Sequence, residues 1–211
     1  MVKRLVLACC LTMGAACAQE QWEIGVIGGL GYSPDLTVSN GTGRAKTGIQ
    51  NDVAFGVFGG NEMYNYWSGE VRYLYRYSDL KLSSGSTGVG FDAHSHIVNF
   101  DVLGHLTPRK ARIRPYVAFG GGVRVMQGTG IESASQPLGN FAALTATSQV
   151  LPLGDVGIGV KLNLQKHLRL RIETRDYISP SPTKLIFPAP GAHVTGIMND
   201  IQGLVGLSFV W

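Results

Sequence analysis

Beyond position 21 the chain is written largely in alternation: apolar side chains fall on every second residue, a break follows, and the pattern returns. Period two is the repeat of a β-strand, whose successive side chains point to opposite faces, and the 3.6-residue repeat of an amphipathic helix is missing. Eight such segments can be marked, at 22–32, 52–59, 66–77, 94–106, 113–126, 153–162, 168–177 and 200–211. The third is the clearest. Trp67, Val71, Tyr73, Tyr75 and Tyr77 share one face, and Glu70, Arg72 and Arg76 share the other.

The connections carry as much information as the strands. Segments 33–51, 78–93, 127–150 and 178–198 are 19, 16, 24 and 21 residues long, whereas 60–65, 107–111 and 163–167 are 6, 5 and 5. Long and short alternate throughout. That predicts an all-β protein, an eight-stranded antiparallel up-and-down barrel with long loops at one end and short turns, with both termini, at the other. Pro180, Pro182, Pro188 and Pro190 stiffen the last long loop and are expected to exclude regular strand there.

Alternation alone does not say which face is wet, and a soluble β-sandwich with an apolar core is the simpler alternative. Three features favour a transmembrane barrel turned the other way. The polar faces are rich in glycine and alanine, as a narrow eight-stranded interior requires. Aromatics gather at strand ends: Trp22, Tyr66, Trp67, Phe209 and Trp211 by the short turns, and Tyr32, Phe55, Tyr75 and Tyr77 by the long loops, with Tyr177 a further candidate. Two such girdles suit two lipid–water interfaces. Finally, the polar-face charges balance, with seven acids (Glu23, Asp52, Glu70, Asp101, Asp155, Glu173, Asp200) against seven bases (Arg72, Arg76, Arg124, Lys161, Arg169, Arg171, Arg175). Charges sealed in a lumen must pair. They are expected to plug the bore.

Composition narrows the picture. Glycine supplies 29 of 211 residues, which disfavours helices, and 45% hydrophobic content excludes wholesale disorder. Lys3 and Arg4 open a basic start followed by an apolar stretch ending Ala16-Cys17-Ala18, a secretory leader with an A-x-A cleavage pattern. The expected division is a cleaved leader at 1–18 and a barrel domain at 19–211; retention of Cys17 as a lipoprotein is the disfavoured alternative. Without Lys3 and Arg4 the formal charge falls from +4 to +2, too little to argue for nucleic acid. Cys9, Cys10 and Cys17 all lie in the leader, so no thiol or disulfide is expected in the mature chain.

Three stretches carry a resemblance: Arg114-Pro115-Tyr116-Val117-Ala118-Phe119-Gly120-Gly121-Gly122-Val123-Arg124; Leu170-Arg171-Ile172-Glu173-Thr174-Arg175-Asp176-Tyr177; and Asn199-Asp200-Ile201 with the closing Gly206-Leu207-Ser208-Phe209-Val210-Trp211. Over the whole mature chain the sequence resembles the small outer-membrane β-barrel domain family of OmpA-type, OmpX-type and opacity-type proteins. The resemblance implies long extracellular loops, short periplasmic turns and residence among outer-membrane lipid and lipopolysaccharide. It also implies that Gly206, Phe209 and Trp211 form the signal shown to the barrel-assembly machinery, although Leu204 stands where the family prefers a polar residue. With a closing strand that ends on its own aromatic, no peptidoglycan-binding domain is expected to follow.

His94-Ser95-His96, close to Asp92, is the one constellation that invites a catalytic reading, as in lipid A-modifying barrel enzymes. Alternation sends Ser95 to the opposite face from both histidines, and two histidines without a third ligand make a weak metal site. His105 reads as a lumen residue near the short turns. Arg109, Lys110, Arg112 and Arg114 read first as a solvated turn and second as a contact for anionic headgroups or cell wall. The glycine-rich run 118–123 lacks the Lys-Ser/Thr ending of a phosphate loop. The expectation is therefore a structural or surface-interacting barrel with no catalytic, cofactor or metal residues, and with an unidentified surface ligand at the loops. A narrow transporter for small hydrophobic molecules is the first alternative and a lipid A-modifying enzyme the second.

Overall fold

The computed structural model describes residues 21–41, 43–133 and 135–211; the expected leader at 1–18 lies outside them. The described residues form strands only: β1 (Gln21–Tyr32), β2 (Leu36–Ser39), β3 (Arg44–Ile49), β4 (Asp52–Glu62), β5 (Trp67–Tyr77), β6 (Leu80–Ser84), β7 (Thr87–Phe91), β8 (Ala93–His105), β9 (Ile113–Gly128), β10 (Ala142–Leu144), β11 (Ser148–Asn163), β12 (Leu168–Pro180), β13 (Ile186–Pro188), β14 (His193–Thr195) and β15 (Ile197–Val210). Eight of them close a barrel in the order β1-β15-β12-β11-β9-β8-β5-β4. Every neighbouring pair is antiparallel, so the order follows the chain around the wall. The eight alternating segments of the sequence are these eight strands.

Closure joins β1 to β15, with Ile24 opposite Phe209 and Tyr32 opposite Ile201. Trp22 and Trp211 exchange backbone hydrogen bonds of 3.2 and 3.1 Å, which finishes the seam at the short-turn end. No sheet edge is left in the wall. Side chains then sort by parity. Ile24, Val26, Val71, Phe100, Val117, Ile172 and Val205 stand exposed on the outside, while Arg72, Arg124, Arg171 and Arg175 are wholly enclosed.

The long connections are not open loops. Parts of the first, second and last form a five-stranded sheet, β14-β2-β3-β6-β7, and parts of the third and last form the pair β10-β13. Gly41 (φ +80°) and Gly85 (φ +59°) take the left-handed conformation in the β2–β3 and β6–β7 turns, where a side chain would be strained. These strands alternate like the barrel wall, and their apolar faces meet in a core of their own. Leu36, Val38, Leu80, Leu82, Phe141, Leu144 and Ile186 are buried there with Met126 and Met198 from the barrel rim. The Gln136 side chain grips the backbone of Leu144 from both sides, at 2.7 and 2.8 Å. The Asn40 amide, in the first long connection, donates to the Asn140 carbonyl in the third at 3.1 Å. The barrel therefore wears a folded cap.

That cap corrects one expectation. The last connection was expected to lack regular strand, yet it holds β13 and β14. Pro188 is the final residue of β13, opposite Ala142, so its missing N–H removes no central ladder bond, and Ala189 donates the next one to Phe141 at 3.0 Å. Pro180 likewise closes β12.

Because the cap has a core separate from the barrel's, the two should respond separately to damage. Leu144→Ala removes a fully buried side chain, worth about 2–5 kcal/mol. Limited proteolysis should then cut within residues 136–147 while a barrel fragment survives; simultaneous loss of the barrel would contradict independent packing.

Candidate functional site

The enclosed wall brings charge inward from all eight barrel strands, and across the bore those charges meet in three groups. At the short-turn end, Glu23 on β1 accepts hydrogen bonds from Lys161 (2.7 Å), Arg169 (2.8 Å), Arg171 (3.2 Å) and the Ser208 hydroxyl (2.7 Å). Glu62, at the end of β4, accepts from Arg114 at 2.5 Å and Arg169 at 2.6 Å. Arg169 therefore bridges two carboxylates. His105 and Ser68 close this level at 2.9 Å.

The middle group is a clasp. β5 and β12 lie four places apart in the ring of eight, directly across the bore, and both run the same way. One presents Glu70-Val71-Arg72 and the other Arg171-Ile172-Glu173, so the signs are complementary at each level. Arg171 donates to Glu70 at 2.6 Å, and Arg72 donates to Glu173. Within β5, Arg72 also donates to Glu70 at 2.7 Å. Tyr116 donates to the second Glu173 oxygen at 2.5 Å, and the Arg171 guanidinium lies 4.0 Å over the Phe58 ring. These four ions pair directly with one another across the bore.

Arg175 then reaches across to Asp101 (2.7 Å) and Asp155 (2.8 Å), the two aspartates flanking β9, while Asn99 donates to both, at 2.6 and 3.2 Å. Gly120 pairs with each of these aspartates on its two sides. A Cβ there would stand 2.2 Å from an Asp101 oxygen and 2.9 Å from an Asp155 oxygen, so only glycine fits between them. The third group lies toward the cap. Asp200 accepts from Arg124 at 2.6 Å and from Gln202 at 3.0 Å, with Arg76 at 3.3 Å.

Of the fourteen charges expected in the lumen, thirteen, Glu23, Glu70, Arg72, Arg76, Asp101, Arg124, Asp155, Lys161, Arg169, Arg171, Glu173, Arg175 and Asp200, are buried in this interior. Asp52 is not among them; it sits half-exposed at the start of β4, where its carboxylate caps the Val53 amide at 2.6 Å. Tyr177 is the other correction. It was a girdle candidate but is wholly buried, accepting from Arg72 at 3.3 Å, because it shares the parity of Arg171, Glu173 and Arg175. The remaining girdle positions Trp22, Tyr32, Trp67 and Tyr77 are exposed outside, and Tyr75 is half-buried among Phe55, Tyr77 and His94. Phe209 and Trp211 stack outside at 6.1 Å, while Gly206 faces the interior against Ile27.

Sequence reading missed several lumen groups. Glu62 and Arg114 were assigned to turns, yet counting by twos from Phe58 reaches Glu62, and counting back from Tyr116 reaches Arg114. The same count finds a buried apolar belt of Ile27, Leu74, Ile97, Leu153 and Leu204 on otherwise polar faces. At 94–96, the wall separates the serine from the histidines: Ser95 is buried against the Ser78 hydroxyl at 2.8 Å, while His96 meets the Tyr73 hydroxyl at 2.8 Å and His94 meets Gln127 at 3.0 Å on the outside. That arrangement cannot pass a proton from serine to histidine.

The sequence profile of a family described as "Outer membrane protein beta-barrel domain" matches residues 5–186. No curated protein sequence matches the chain. Among solved structures, the N-terminal β-barrel domain of Pseudomonas aeruginosa OprF is similar with a TM-score of 0.50 at 13% identity, over 90% of this chain and 97% of that one. Neisserial surface protein A gives 0.53 at 9%, over 90% and 96%. AlkL, determined in DMPC lipid bilayers, gives 0.53 at 15%, over 92% and 90%. At such identities the likeness is one of fold.

The clasp makes a measurable claim. Removing one partner of a buried pair costs about 3–5 kcal/mol, chiefly because the other charge is left stranded. Glu173→Gln should lower the unfolding free energy in urea by that order, read from the fluorescence of Trp22, Trp67 and Trp211. Adding Arg72→Gln should recover part of the loss, with a coupling energy above about 1 kcal/mol. Strictly additive effects would refute the pairing. Gly120→Ala should be destabilising although it changes no charge.

Proposed function

This chain belongs to the outer membrane protein β-barrel domain family and resides in the bacterial outer membrane, and on that footing we propose that it is a non-catalytic barrel, structural and surface-interacting, whose lumen is plugged by its own ions. The clasp between β5 and β12 carries this reading, because Arg171 reaches Glu70 at 2.6 Å and Arg72 reaches Glu173 across the bore. Eight strands enclose only enough room for side chains. The outer wall supports the placement: exposed Val, Ile and Phe form an apolar band, with Trp22, Trp67 and Trp211 at one rim and Tyr32 and Tyr77 at the other. Amphipathic rings of that kind settle at lipid–water boundaries.

The rest of the proposal follows from that orientation. The leader at 1–18 is removed, the domain at 19–211 inserts, and both ends stay in the periplasm. The cap then faces the medium, ringed by lipopolysaccharide, and offers the surface on which a partner would land. The closing strand, with Gly206, Phe209 and Trp211, is what the assembly machinery engages.

The apolar belt gives the hydrophobic-transport reading its one supporting observation. Along three strands, however, the Arg76–Asp200–Arg124 group stands between that belt and the cap core: Arg76 follows Leu74, Arg124 precedes Met126, and Asp200 lies between Met198 and Leu204. A greasy solute would have to cross a buried ionic layer. A closed lumen is the better reading.

Three measurements test the proposal. In planar bilayers the pure protein should show no steady single-channel conductance, whereas a stable ohmic channel would contradict the plug. Ser86→Cys, in the β6–β7 turn, should react with a membrane-impermeant maleimide in intact cells, and Lys166→Cys only after permeabilisation. The reverse result would invert the orientation, and labelling of the wild type would show that a leader cysteine is retained. Trp211→Asp should lower membrane levels several-fold relative to wild type; unchanged levels would dismiss the closing strand as the assembly signal.

A further inference from the structure

Among the described residues, the turns at the short-turn end carry basic side chains and no acidic ones. Lys110, Arg112 and Lys166 stand exposed there, and none of the turn segments 63–66, 106–112 and 164–167 contains an acid. The carboxylates of the lumen at this level, Glu23 and Glu62, are enclosed and already held by Lys161, Arg114 and Arg169. Arg109 is fixed in place by Glu62, to whose carbonyl it donates. Between the turns and the seam opens a cleft of about 570 Å³, lined by Arg109, Lys110, Lys166 and Trp211, with the amides of Asn163 and Gln165. A second groove, about 470 Å³ and almost wholly apolar, runs over the outer wall along Ile24, Val26, Val57, Leu207 and Phe209. Leu168 lines both.

We propose that cleft and groove are one site, and that it holds an anionic glycerophospholipid of the periplasmic leaflet. The phosphate sits at Lys110 and Lys166, and an acyl chain lies along Ile24, Leu207 and Phe209. The inference rests on the orientation proposed above. Each half alone would be unremarkable on a membrane barrel. The residue they share, Leu168, is what selects an amphiphile: the cations of the cleft lie on one side of it and the apolar groove of the outer wall on the other. An acidic cell-wall strand would use the cations but has nothing to place in the groove. Trp211, stacked on Phe209 at the junction, marks the boundary between the two media. Two lysines at headgroup depth correspond to a preference for anionic over zwitterionic lipid of roughly tenfold or more.

The test uses the purified full-length protein in nanodiscs containing phosphatidylglycerol and phosphatidylcholine with identical chains, with retained lipid counted by native mass spectrometry. The wild type should keep phosphatidylglycerol over phosphatidylcholine by roughly tenfold or more, and Lys110→Gln with Lys166→Gln should lose most of that preference. Leu207→Trp, which fills the groove and spares the cations, should lower retention of both lipids. Equal retention by the wild type overturns the proposal, as does an unchanged preference in the lysine variant. Binding of soluble muropeptides that the lysine variant loses, with no lipid preference, would make the cleft a cell-wall contact and overturn it as well. Both faces of a nanodisc are open, so this result is independent of the cysteine labelling that reports orientation in cells. Each variant is first checked for a folded, heat-modifiable band.

Discussion

A carboxylate or guanidinium taken out of water costs several kcal/mol unless its partner comes with it. Each of the eight wall strands turns at least one such group inward, and the interior works only because they arrive in complementary places. Among the described residues seven enclosed acids meet eight enclosed bases. Most of these groups touch more than one partner: Glu23 holds three cations, and Arg175 holds two aspartates and lies close to Glu173. The small residues of the wall follow from the same demand. Gly120 exists so that Asp101 and Asp155 can share Arg175, and a larger residue there would push the pair apart.

With the ions inside, the greasy residues have only the outside. This inverts the usual globular arrangement, and it explains why the barrel has no apolar core of ordinary size. What hydrophobic packing there is among the described residues divides in three, a thin belt among the ions, a small cluster of Leu103, Tyr116 and Ala118, and a fuller core in the cap. The cap is a small sheet assembly on top of a membrane-spanning one. It converts four connections into a surface of fixed shape, which is the property a landing site for an external partner needs.

Parity made the barrel legible. Eight alternating runs and seven connections of alternating length were enough to fix strand number, direction and the facing of nearly every wall residue. Errors arose where parity was abandoned at strand ends. Tyr177 was read as an interface aromatic because it is a tyrosine near a rim, though counting from Arg175 turns it inward. Glu62 reads as a turn residue because its strand is ended at 59, and Arg114, although inside the segment 113–126, reads with the basic turn that precedes it. The cap was hidden for another reason. Its strands are three to six residues long, too short for a periodic signal, and their pairing joins segments far apart in the chain, such as β2 with β14. Nor could spacing reveal which ions meet across the bore, since that depends on the stagger of the closed sheet.

That stagger has a consequence in the clasp. Eight strands can close with more than one offset, and the backbone ladder by itself discriminates weakly among them. Slide β5 by two residues against the opposite wall and Glu70 rises to the level of Glu173, so that attraction becomes repulsion in an enclosed space. The paired Glu-Val-Arg and Arg-Ile-Glu triplets therefore act as a vernier: they read the circumference of the cylinder and accept a single setting.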